Sequence, residues 1–266
     1  MSLLVNPFWY ATANCLDADA NAFLTAAGIT DPTISTAICT LVTAMKANGT
    51  WTKMDAIYPM VGGTAATHKF NLKNPLDTNA AFRLSFSGGW THSANGALPN
   101  GTNTFADTFY TPSTTAIQNS HHLSYYSRTN VNLTQVEVGA STSSSNNNLL
   151  EIRTANVSYF IINQNSPYAT VADTDSRAYY IANRTASNVV NGWKNGTKVA
   201  TSTTASNARS SAKIYIGALN TNNSTTTLYT TKECAFATIG QGLTDGEAAA
   251  LNTAVAAFQT SLSRNV

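Results

Sequence analysis

Glu137 (in QVEVGA) and Glu151 (in LLEIRT) sit in strand-like apolar surroundings, and paired carboxylates in such settings are the tools of glycoside hydrolysis. A retaining hydrolase holds two carboxyl groups about 5–5.5 Å apart. Along a strand, acidic residues two or four positions apart meet this need, because they share a face. Neither glutamate has such a neighbour, so the local pattern speaks against catalysis. Asp173 and Asp175 are two apart in the loop-like string TVADTDSR. Loop carboxylates at this spacing can turn toward one Ca²⁺. They serve equally well in an Asx-turn or in a pair with Arg177. His121 and His122 are adjacent, so a strand would aim them at opposite faces, where no local geometry lets them share a metal. His68 and His92 are isolated. The chain contains no P-loop, no G-x-S-x-G elbow and no H-E-x-x-H.

Aromatic residues offer a second kind of chemistry. Trp90, Tyr110, Tyr126 and Tyr168 lie near loop signals with Asn and Asp close by. Such residues stack on sugar rings and hydrogen-bond to their hydroxyls. Phe8, Trp9 and Tyr10 stand in an apolar arm, residues 1–14, which must be covered by its own domain or by a neighbouring subunit.

The elements that would position these groups are mostly strands. Between residues 177 and 219, Tyr179, Ile181, Val189, Trp193, Val199, Ile214 and Ile216 alternate with polar residues, the period-two signature of half-buried strands. Asn195-Gly196 suits a two-residue type I′ hairpin. Similar short runs extend back to Phe82, and STSSSNNN (141–148) reads as a polar hairpin tip. Helices flank the strands. Asp17 or Asp19 caps one that stops at Gly28, and Asp31-Pro32 opens another carrying the stripe Ile34, Ile38, Leu41, Val42 and Met45. A T-x-x-E capping box, Thr244 and Glu247, opens the last, with Leu251, Val255, Phe258 and Leu262 on one face. The second helix has no Arg, which argues against a DNA-binding helix-turn-helix.

Composition narrows the class. Only 11% of the 266 residues are charged and the net charge is +2, so no field gathers nucleic acid. Polarity comes from Thr, Ser and Asn, which suit strands and turns. The three cysteines, Cys15, Cys39 and Cys234, have no framework spacing and read as reduced, buried thiols of a protein made in the cytoplasm. The first residues show neither a signal-peptide pattern nor a run long enough for a membrane span.

The strings WKNGTKVA, IYIGALN, CAFATIG and LTDGEAAALNTAV resemble the end of a concanavalin A-like, or laminin G-like, jelly-roll domain. With WTKMDAIYPMVGGTAATHKFNLKNP, AAFRLSF and ADTFYTPSTT, the chain from about Asp17 to Val266 resembles uncharacterised proteins of tailed bacteriophages and prophages. The resemblance implies an all-β jelly-roll β-sandwich with two short N-terminal helices and one C-terminal helix. The expected divisions are an arm at 1–14, a helical elaboration at 15–62 and a sandwich at 63–266 whose last helix spans 244–263. It further implies a virion location, other virion proteins as partners, a homo-oligomer with a trimer as first guess, and no enzymatic activity. The first alternative is a carbohydrate-binding module that recognises a host surface glycan. The second is a glycan hydrolase, though the E-x-D-x-x-E of the laminarinase and lichenase families is absent. No cofactor is expected apart from a Ca²⁺ at Asp173 and Asp175, and neither nucleic-acid binding nor membrane insertion is expected.

Overall fold

The computed structural model describes residues 15–266, so the arm with Phe8, Trp9 and Tyr10 lies outside the described residues. Two sheets dominate it. The first runs Thr197–Ser202, Val189–Lys194, Ala178–Ala186, His121–Ser127, Cys234–Gly240, Gly96–Leu98 and Thr91–Ser93, with Met54–Tyr58 also pairing to Cys234–Gly240. The second runs Ala169–Ala172, Val157–Ile162, Asn147–Thr154, Val138–Ser141, Tyr215–Ile216, Phe105–Asp107 and Ser85–Ser87. The small hairpin Leu219–Thr221 and Thr225–Thr227 attaches to Val138–Ser141 through a parallel contact. The other pairings are antiparallel, which makes the molecule an antiparallel β-sandwich, the class the sequence implies.

Period-two alternation decides which side chains meet. Leu123 and Tyr125 point inward from the first sheet, as do Tyr180 and Ala182, onto Val138, Leu150, Phe160 and Ile162 of the second. The sheets approach closely at Gly192, where a Cβ would lie 2.2 Å from the Phe160 ring. Asn195 and Gly196 both take positive φ, 46° and 76°, and close the hairpin that the dipeptide encodes.

Five helices accompany the sheets: α1 (Ala18–Ala27), α2 (Pro32–Ala47), α3 (Ala65–His68), α4 (Pro112–Thr115) and α5 (Asp245–Ser261). Their ends follow local chemistry. Asp17 accepts from the amides of Asp19 and Ala20, and Gly28 ends α1 in the left-handed region. Asp31 caps α2 with Pro32 in its first turn. Both halves of the Thr244–Glu247 capping box are formed. Ile38, Leu41, Val42 and Met45 of α2 pack with Leu251, Val255 and Phe258 of α5 onto Tyr126, Tyr179, Ile181, Trp193 and Phe236, the outer face of the first sheet. That sheet is buried on both sides.

Two expectations need correction. Segment 15–62 is not a separate helical unit, because Met54–Tyr58 is a strand of the sandwich and pairs with Cys234–Gly240. The cysteines are not three buried thiols either. Cys15 is bonded to Cys39 of α2, with Cα atoms 5.6 Å apart, while Cys234 is free and buried. Folding brings 15 and 39 together by laying the start of α1 against α2, a long-range contact that spacing alone does not reveal.

Thiol counting tests this pairing: the denatured, unreduced chain should react with one equivalent of iodoacetamide, rising to three after reduction. Cys39→Ser should lower stability by about 3 kcal/mol in urea titration. Gly192→Ala should cost about 1–3 kcal/mol by forcing Phe160 off its seat, with the sheet content by circular dichroism unchanged.

Candidate functional site

The four aromatic residues named from sequence fall in different environments. Tyr110 is fully buried and its hydroxyl donates to Asp55 Oδ2 at 2.8 Å. Tyr126 is covered by the helix layer and donates to Asn265 Oδ1 at 2.7 Å. Neither ring can stack on a sugar, because the alternation that made them look like strand residues sends one into the core and the other under the helices. Trp90 is half-buried. Its indole N–H donates to the Phe105 carbonyl at 3.3 Å, and its ring packs against Phe86 and His92 at the core margin. Tyr168 alone of the four stands half-exposed on the outer face of the second sheet.

The Ca²⁺ expectation is not met by the geometry. Asp173 is buried, and its oxygens accept from Lys194 Nζ at 2.6 Å, Ser158 Oγ at 2.7 Å, Tyr180 Oη at 2.7 Å and the Asp175 amide at 3.2 Å. Burial pushes its pKa up, but these hydrogen bonds and the Lys194 charge outweigh it and hold the carboxyl below the usual range. Asp175 turns away to Arg177 Nη2 at 2.7 Å, which brings it down to about 2. The two carboxylates therefore serve a cross-sheet clamp and a surface turn. Among the described residues no three His, Cys, Asp or Glu side chains converge as a metal cage.

The histidines are likewise committed. His121 donates through Nδ1 to the Gly240 carbonyl at 3.0 Å, and His122 through Nδ1 to the Gln241 carbonyl at 2.6 Å. Burial lowers them to about 3 and about 4. His68 and His92, isolated in sequence, meet with Nδ1 atoms 3.0 Å apart beside Trp90. Burial and the His92 charge lower His68 to about 3.

The outer face of the second sheet carries a different set. Cross-strand pairing places Glu151 beside Tyr159, and Tyr159 beside Thr170, in one lane across three strands. The neighbouring lane runs Leu149, Ile161 and then Tyr168, over a small apolar floor that includes Val136 and the flanking Leu219 and Leu228. Strands lie 4.7–4.9 Å apart, so each lane is roughly 10 Å long. Tyr159 and Tyr168 are half-exposed on a rigid ladder, and no helix covers them. Sequence reading missed Tyr159; its alternation with the buried Phe160 was a usable signal.

At one end of this lane the two glutamates meet after all. Glu137 is fully buried. Its carboxylate accepts from Lys232 Nζ at 3.0 Å and Thr230 Oγ1 at 2.9 Å through one oxygen, and from the Ile152 amide at 2.6 Å through the other. Ile152 directly follows Glu151, so Glu151 feels that charge. Burial first, and Glu137 second, push Glu151 up to about 7. Among the described residues no side chain or amide hydrogen-bonds to its carboxyl, which leaves a half-buried hydrogen-bonding group free beside two tyrosine rings. The pair escaped sequence reading because it joins different strands.

No protein-family model and no curated protein matches the chain. Solved structures with related shapes include domain 4 of AbnA, a GH43 extracellular arabinanase from Geobacillus stearothermophilus, in complex with arabinotriose. That match has 13% identity and a TM-score of 0.46, covering 75% of this chain and 98% of that one. A Trypanosoma rangeli sialidase matches at 8% identity and a TM-score of 0.45, covering 82% of this chain and 39% of that one. The binding domain of Botulinum neurotoxin DC, in complex with rat synaptotagmin II, matches at 9% and 0.45, covering 77% and 52%. This chain thus spans about half, or less, of the sialidase and toxin chains. These likenesses concern overall shape and assign no ligand here.

Glu151 makes stability depend on pH in a defined sense. Its folded pKa of about 7 exceeds the unfolded value of about 4.3, so the folded state binds the proton more tightly. That contribution is complete below pH 4 and is lost as pH rises toward 7. Glu151→Gln should therefore match the parent near pH 4 in urea titration. At pH 8 it should exceed the parent by roughly 2 kcal/mol, a figure reduced for the partial exposure of the group.

Proposed function

We propose that the chain is a non-catalytic carbohydrate-binding module whose site is the uncovered face of the second sheet, centred on Tyr159, Tyr168 and Glu151. The observation that carries this reading is the placement of two half-exposed tyrosines beside a carboxyl without a partner, all on rigid strands. Tyrosine faces accept the C–H side of a sugar ring, while Glu151 and Thr170 can bond its hydroxyls. The low net charge fits a neutral glycan better than a polyanion.

The non-catalytic part rests on Glu137. A double displacement needs one carboxylate to reach the anomeric carbon. Glu137 is sealed from solvent with both oxygens engaged, and Glu151 alone cannot supply acid and nucleophile together. The Cys15–Cys39 bond supports work outside a reducing cytoplasm, since such bonds persist at cell and virion surfaces. No helix among the described residues is long and apolar enough to cross a membrane. Placement on a virion, in a trimer beside other virion proteins, enters this proposal on the sequence resemblance alone.

A glycan array followed by titration calorimetry tests it. The parent should bind at least one neutral glycan near millimolar Kd. Tyr159→Ala and Tyr168→Ala should each weaken it about tenfold, as expected for the loss of a stacking contact of about 1 kcal/mol, whereas Trp90→Ala should leave it within twofold. Binding that follows Trp90 would move the site to the other end of the second sheet. Release of reducing sugar that disappears in Glu151→Gln would replace the proposal with a hydrolase.

A further inference from the structure

The helix layer carries an apolar groove that the glycan site does not use. Between α2 and α5 runs a cleft of about 430 Å³ floored by Ala37, Leu41, Ala44, Ala254, Ala257 and Phe258. It opens at Thr33 and Ser261 into a second cleft of about 550 Å³. None of the residues lining the α2–α5 cleft is charged, and four of those floor positions are alanine, so the helices leave room between them. At its other end the groove shares Thr40 and Ala44 with a shallow depression lined by Cys15, Leu16 and Cys39. The first described residues therefore stand at the mouth of the groove. Leu16 is 95% exposed there, and the Cys15–Cys39 bond fixes the chain to the flank of α2.

The fourteen residues before Cys15, MSLLVNPFWYATAN, contain six large apolar side chains besides Met1 and no charge. Phe8 to Tyr10 are five to seven residues from the anchor, a reach of up to roughly 17–24 Å. Leu41 is two residues from Cys39 along α2 and Ala37 two residues the other way, about 3 Å of helix rise in each direction. The floor of the groove thus lies well within reach.

We propose that residues 1–14 of the same chain dock in the α2–α5 groove, with Phe8, Trp9 and Tyr10 filling the space over the alanine floor. The match is of three kinds: uncharged segment to uncharged groove, bulky rings to small residues, and an anchor point at the groove mouth. The disulfide shortens the search by holding the last residue of the arm in place. Docking in the same chain closes the groove without a partner.

Photo-crosslinking of the full chain tests this. Trp9 is replaced by p-benzoylphenylalanine, and the adduct is sized on a gel and mapped by mass spectrometry. The expected product runs as a monomer, with the adduct between Thr33 and Ala44 or between Ala254 and Ser261. A covalent dimer would show that the groove takes the arm of a second copy, which overturns same-chain docking. An adduct elsewhere, or none, overturns the site itself. As a second readout, deletion of residues 1–14 with Cys15 retained should speed amide hydrogen exchange in α2 and α5 at least tenfold and leave the strand amides of the second sheet unchanged; equal exchange with and without the segment also overturns it. Neither readout depends on glycan binding.

Discussion

Burial of the first sheet under α2 and α5 is the constraint from which the rest of the molecule follows. Tyr126, Tyr179, Trp193 and Phe236 would present a large apolar face to water if the helices were absent. Burying one such side chain is worth about 1.5–3 kcal/mol, several times the contribution of a capping interaction. The helices are held by this docking, and their sequences show it: the stripe on α2 and the stripe on α5 both end in the same cluster. Once one sheet is sealed on both sides, only the other has a face to offer. The location of the candidate site is thus a consequence of packing before it is a matter of chemistry.

Charge is scarce in this chain, and much of it is used internally. Asp173 ties Ser158 of the second sheet to Tyr180 and Lys194 of the first. Arg184, fully buried, reaches from the first sheet to the Ile162 carbonyl of the second at 2.8 Å. Arg264 gathers the carbonyls of Pro59, Met60 and Ala235 and fixes the end of the chain to the sandwich. Buried ions gain little net stability over apolar packing, but removing one partner strands the other at a cost of about 3–5 kcal/mol. Their effect is on register. A one-residue slip would break these contacts and turn each strand inside out.

Local rules were legible in the sequence wherever a short stretch determines its own shape. The Asn195-Gly196 hairpin, the Asp31-Pro32 helix start, the Thr244–Glu247 capping box and the strand alternation all appear in the structure as the residues imply. What escaped was whatever depends on two distant segments meeting. Cys15 reaches Cys39 only after α1 lies on α2. Met54–Tyr58 joins the sheet through a strand nearly 180 residues later. Alternation also leaves open which face is inside, so Tyr110 and Tyr126 looked as available as Tyr168. The site aromatic that composition did flag is the one on the uncovered face.

A flat sheet face recognises weakly, and that shapes how such a module must work. Two stacked rings and one or two hydrogen bonds supply only a few kcal/mol, close to the 4.1 kcal/mol of a millimolar complex. A deep pocket would add buried area, but the largest clefts described lie among the helices and line with alanine and threonine, away from Tyr159. Strength must then come from repetition. Several copies on one scaffold convert later contacts into intramolecular events at millimolar effective concentration, and the gain can reach 10²–10⁴ without any new contact. A rigid, weakly charged sandwich suits this use, because it presents the same uncovered face in every copy and adds little repulsion between neighbours.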